Sequence, residues 1–144
     1  MKIDSEQFFG ALADHMNEHP EHFRVLGDAD MVAALVMRND AGDFAVRLVF
    51  EGLRCEAADE IAAGEAHLAD FYLDGPFATW QAMFDDITAN GSASGRLTIN
   101  SLALLATEVR LRGDDPMGTD KFSRFNQTLQ EYLDGAAGLA VAAG

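Results

Sequence analysis

Basic residues are scarce: ten Lys and Arg stand against 24 Asp and Glu among 144 residues, a formal net charge of -14. A surface that acidic repels phosphate backbones and anionic membrane surfaces, which excludes nucleic acid as a partner. The acids fall in short pairs such as Asp85-Asp86 and Asp114-Asp115, so they predict a solvated surface and no acidic tail. Cysteine is scarcer still. The lone Cys55 excludes an internal disulfide and leaves no thiol cluster for zinc or redox chemistry, so it is expected to act as a small apolar side chain. No apolar run approaches the roughly 20 residues that span a bilayer, and no stable membrane insertion is expected. Nothing matches the dinucleotide or P-loop glycine patterns, which removes nucleotide binding. Gly91-Ser92-Ala93-Ser94-Gly95 has the outer glycines of a nucleophile elbow, but Ala93 stands where the hydroxyl must be. Residues 1–9 carry Asp4 and Glu6 without a basic or an apolar signal region, and the final Ala-Ala-Gly is no peroxisomal or lipidation address. A cytoplasmic location, of bacterial type, is expected.

What is present is globular. Hydrophobic residues at 49% and charged residues at 24% exclude a disordered chain, and this length is that of one domain able to bury its own core. Asp4 and Gln7 are spaced as a capping box ahead of Phe8, Leu12 and Met16, which predicts a first helix ending near His19, before Pro20. Residues 31–38 form a nearly continuous apolar run, the pattern of a strand buried on both faces. After the turn at 39–42, Phe44, Val46, Leu48 and Phe50 alternate with Ala45, Arg47, Val49 and Glu51, so the two strands form an antiparallel hairpin. Residues 56–65 carry few large apolar side chains and predict a loose stretch. A strand is expected at 66–74, broken by Gly75-Pro76, with Pro76 as first residue of a helix bearing Phe77, Trp80, Phe84 and Ile87 on one stripe and closing at Asn90-Gly91.

Residues 91–106 mix two periods, Leu97 and Ile99 against Leu102 and Leu105, and fit either a strand or an apolar flap. A last strand is expected over 107–111, ending at Gly113-Asp114. A helix from near Thr119 to Gly135 follows, carrying Phe122, Phe125, Leu129, Tyr132 and Leu133. Residues 136–144 are expected to be loosely ordered. The pattern is α+β: an antiparallel sheet with helices laid on it.

Polar chemistry is thin. His15, His19 and His22 lie at spacings that could share a metal with Glu18 or Asp14, but Pro20 interrupts the helix and the neighbouring residues are solvating; no metal and no cofactor is expected. His67 stands alone and is expected to be structural or partly exposed. Asp70, between Leu68 and Tyr72, is the carboxylate placed to be partly enclosed, and a general-base role in a small isomerase-type pocket stays open. The apolar inventory is richer, with ten Phe, six Met and one Trp. Stripes of this kind ordinarily build core, yet Trp80 and Phe84 on one helix, Phe122, Phe125 and Leu129 on another, and the 97–106 segment could also wall a cavity for an apolar ligand. An accessory subunit meeting a protein partner through its aromatic face, and a homodimer, remain alternatives.

Ala69-Asp70 running to Gly75-Pro76, the helix with Trp80 directly after, and Val109-Arg110-Leu111-Arg112 ending in Gly113-Asp114 before a terminal helix resemble, in kind and order, the type-two sterol carrier protein family of lipid-transfer domains. The resemblance covers roughly residues 25–135, with 1–24 as an N-terminal helical region. It implies a mostly antiparallel five-stranded sheet covered by helices, and a tunnel between them that takes fatty acyl chains or sterol-like molecules without catalysis. Carried onto matching elements, it implies ligand contacts from Phe71, Trp80, Phe84, Phe122, Phe125 and Leu129, and the ambiguous segment adds Leu102 and Leu105. Two departures stand out: the connection over 90–107 is long, and residues 115–118 separate Gly113-Asp114 from the last helix.

Overall fold

The computed structural model describes residues 2–105 and 108–143, with side chains through Leu139. Helix α1 spans Glu6–Glu18. Its cap is Ser5, not Asp4: the Ser5 Oγ accepts from the Phe8 N–H at 3.2 Å and donates to the Lys2 carbonyl at 2.6 Å. The helix ends at His19 as Pro20 requires, and a short 3-10 turn, Pro20–His22, leads to Gly27 at φ 84.

Five strands follow: β1 Ala29–Arg38, β2 Phe44–Gly52, β3 Arg54–Ile61, β4 Phe71–Pro76 and β5 Arg110–Arg112. They form one sheet in the order β3-β2-β1-β4-β5, antiparallel at every step except β1 beside β4. Among the described residues the helices are α1, α2 Phe77–Asn90, α3 Ile99–Leu105, α4 Pro116–Asp134 and α5 Ala136–Ala143. None is long and apolar enough to cross a membrane.

β1 reads as a continuous apolar run because both of its faces are covered. Met31, Ala33, Leu35 and Met37 join the main core with Phe44, Val46, Leu48 and Phe50 of β2. Ala34, Val36 and Ala45 face the other way, against Ala66 and Ala69 near a 3-10 turn over Ala63–Leu68. That turn displaces the strand expected at 66–74. Small alanines there pack flat on the sheet, and pairing begins only at Phe71.

β3 replaces the expected loose stretch. It is an edge strand with a bulge opposite Val49 and Phe50, and its exposed positions carry Arg54, Glu56, Asp59 and Glu60. Asn17 of α1 covers this edge: its side chain accepts from the Cys55 N–H at 2.9 Å and donates to the Cys55 carbonyl at 3.0 Å. Cys55 itself is buried, and burial pushes its thiol up to about 12, so it is protonated at neutral pH.

Three boundaries shift. Pro76 closes β4 and caps α2 from outside, so the helix starts at Phe77, one residue after the expected start. α4 begins at Pro116, a turn before Thr119, because the Asp115 carboxylate accepts from the Met117 N–H at 3.0 Å and Pro116 supplies a ready first helical residue. β5 is shorter and later than 107–111, and Thr107 lies outside the described residues. The tail expected to be loose forms α5. Its small residues let it lie close: any side chain at Gly138 would collide with the His15 ring.

Candidate functional site

The site is built where β4 hands over to α2 and β5 hands over to α4. Gly75 is buried, and a Cβ there would stand 2.8 Å from a Val109 methyl, so only glycine lets the approach to β5 cross the end of β4. One helical turn on, the Trp80 indole donates to the Val36 carbonyl at 3.0 Å, pinning α2 to the central strand. At the opposite end of β5, a Cβ on Gly118 would collide with the Asp70 carbonyl oxygen, so α4 starts in backbone contact with the entrance of β4. Phe122 of α4 then meets Phe71 of β4 edge to face, centroids 5.5 Å apart.

The residues singled out from the sequence do not all converge. Phe71 and Phe122 are paired, and Leu129 is fully buried on the same helix as Phe122. Phe125 is half-buried, with the Arg124 guanidinium 5.1 Å from its ring centroid. Phe84 turns toward α1, packing edge to face on Phe8 at 4.9 Å. Trp80 lies against the sheet. The segment expected as a strand or flap contains a 3-10 turn, Gly95–Leu97, and then α3; Ala106 lies outside the described residues. α3 packs against β5 and α4 with Ile99 and Leu102 buried, while Leu105 is exposed. Phe71, Leu102, Phe122 and Leu129 belong to one core cluster, with Phe77, Leu111 and Phe125 half-buried on its rim. The result is an apolar seam among β4, β5 and α4, with α3 over it.

Sequence reasoning missed how α3 is held. The Gln130 side chain accepts from the Ile99 N–H at 2.8 Å and donates to Asp134 Oδ1 at 2.9 Å, and the same oxygen accepts from the Ala93 N–H at 3.1 Å. Two side chains one turn apart on α4 thus tether both ends of the 93–99 segment. Gln and Asp at i, i+4 was the signal available. Burial holds the Asp134 carboxyl above its ordinary value of 3.8, against the pull of those two donors. The folded state therefore takes up this proton before the unfolded chain does. The penalty is fully present above the folded pKa and disappears as pH falls toward 3.8. Asp134→Asn keeps the Oδ1 acceptor and removes the charge; urea midpoints are expected to exceed wild type at pH 7 and to converge with it in acid.

Polar clusters elsewhere are structural. Asp70 lies just ahead of β4; its Oδ2 accepts from the Val32 N–H at 2.8 Å and lies 3.4 Å from the Lys121 ammonium. A carboxylate so engaged clamps the start of the β1–β4 pairing, and nothing in its surroundings supports a general-base role. His67 is exposed, with Nδ1 2.7 Å from Asp114 Oδ2. The rings of His15 and His19 stack at 4.4 Å and those of His19 and His22 at 5.1 Å. Burial, then the neighbouring histidines, lower the His15 pKa. Among the described residues no group of three or more His, Cys, Asp or Glu is arranged to hold a metal ion.

The tunnel implied by the resemblance is absent among the described residues. The open spaces described there are solvent-facing clefts of about 390 Å³ beside His15 and Tyr132, about 530 Å³ beside His67 and Lys121, and about 450 Å³ around Met117 and Arg124. All have charged linings, and in the seam itself Phe71 and Phe122 pack edge to face.

No protein-family model matches the chain, and no curated protein matches it in sequence. Solved structures do match. The crystal structure of sterol carrier protein 2 superimposes with a TM-score of 0.71 at 22% identity, covering 94% of this chain and 98% of that one. The solution structure of a conserved hypothetical protein from Thermus thermophilus, described as a candidate sterol carrier protein, gives 0.69 at 22% identity, with 95% of this chain and 91% of that chain covered. The α+β fold with its mixed five-stranded sheet is therefore the sterol-carrier fold.

Proposed function

We propose that this chain, folded as a sterol carrier protein, is a non-enzymatic carrier of an apolar small molecule with a long hydrocarbon portion. The observation that carries the reading is α3, a short helix with an apolar inner face, tied at its start by Gln130 and lying over a seam of aromatic and aliphatic side chains. In this reading the closed seam is the empty state. Moving α3 outward opens a slot between sheet and α4, lined by Phe71, Leu102, Phe122, Phe125 and Leu129, with Leu105 at its mouth.

Magnitudes decide which ligands qualify. Uncovering Ile99 and Leu102 costs about 1.5–3 kcal/mol each, roughly 3–6 in total, whereas each buried methylene returns about 0.8 kcal/mol. Chains of fewer than about eight methylenes cannot offset the opening. Beyond that length, affinity rises about fourfold per methylene until the slot is full. Titrating straight-chain fatty acids of increasing length against a displaceable fluorescent probe is expected to show this threshold and slope. A response that is absent, or flat with length, rejects the carrier function.

A further inference from the structure

Between Asp86 and Glu108 the chain has no carboxylate, its longest such stretch despite 24 of them overall, and the one charge there is Arg96. α3 lies in this stretch and ends on Leu104 and Leu105, which are 79% and 54% exposed. β5, packed against α3, adds the exposed Arg110. The next carboxylate along the chain, Glu108, is engaged on the α2 side, where it accepts from the Thr79 hydroxyl at 2.5 Å.

From this juxtaposition we infer that the last turn of α3, at Leu104 and Leu105, is a docking tip for an electroneutral lipid surface. Leu104 enters between headgroups, Arg110 of the adjoining β5 meets a lipid phosphate, and the acidic remainder stays in water. Interfacial binding scales with the apolar area inserted, so a short apolar edge gives a weak, reversible contact. Two leucines are too little for a protein interface, which needs about 1,200 Å² or more. A second copy would bring a further charge of -14 toward the first. The inference deepens the carrier reading and takes its purpose from it: with the start of α3 held by Gln130, lipid contact at the far end levers the helix off the seam.

The test is flotation of the full-length protein with phosphatidylcholine vesicles. Wild type is expected to float with them, less so when phosphatidylserine is mixed in, with added salt restoring part of the loss. Leu104→Asp is expected to lower binding by about tenfold or more. Leu104→Trp should strengthen it and show an emission blue shift on vesicles, readable beside the fully buried Trp80. Equal flotation of wild type and Leu104→Asp, or a preference for anionic vesicles, overturns the inference. So does a sedimenting dimer that Leu104→Asp dissolves, because the tip would then be a self-interface. Fatty-acid binding without vesicles, measured on the same proteins, separates the two claims. Loss of flotation with binding intact defeats the docking tip alone; flotation without any fatty-acid binding defeats the carrier reading alone.

Discussion

Trp80→Ala is expected to lower the stability of this domain by about 3–5 kcal/mol, the range for removing a large aromatic from a closed core. The side chain is fully buried, and its indole N–H serves a carbonyl of the central strand. Trp80→Phe separates the two contributions. It retains most of the packing and strips the donor, leaving the Val36 carbonyl without that partner at about 1–3 kcal/mol. Urea denaturation followed by circular dichroism should rank the midpoints wild type, Phe, Ala. Equal loss in the two variants would mean that the hydrogen bond, and not the volume, fastens α2 to the sheet.

Gly118 makes the second large case, and its sign is the informative part. Glycine inside a helix ordinarily destabilises by about 0.5–1 kcal/mol relative to alanine. Gly10 in α1 obeys that rule: no atom lies within 4 Å of a Cβ built there, and Gly10→Ala is expected to stabilise. Gly118→Ala reverses it. The added methyl strikes the Asp70 carbonyl, which cannot retreat, because the Asp70 N–H donates to the Val32 carbonyl at 2.9 Å and its carboxylate holds the Val32 N–H. Overpacking against fixed backbone costs about 1–3 kcal/mol or more. Thermal melts of the two alanine variants should move in opposite directions. A gain at both positions would show that α4 is free to shift away from β4.

The sheet was legible where burial imposed a period. β1 and β2 declared themselves because one is covered on both faces and the other on one. β3 escaped because an edge strand with a bulge and short side chains has no such period, and its cover, Asn17, is polar. The ends of β4 and β5 were legible through Gly75-Pro76 and Gly113-Asp114, where close backbone approach demands particular residues. The earlier start of α4 was available in Asp115-Pro116, a capping acid and a first-turn proline. The candidate site was half legible. Phe71, Phe122 and Leu129 follow from apolar spacing, but spacing cannot say that Phe84 turns to α1 and Phe125 to the rim. Nor could it find the Gln130–Asp134 tether, in which two ordinary polar residues acquire a role through partners more than thirty positions away. α3 was hidden by a segment whose strand-like and helix-like periods overlap.

The parallel contact of β1 with β4 sets an order of events on the ribosome. Everything from Asn39 to Asp70 must emerge before the central strand gains its second neighbour. Until then β1, greasy on both sides, presents an open row of backbone donors and acceptors, the kind of edge that recruits foreign strands. Nascent chains stalled in that interval are the ones this protein most needs chaperones to shield.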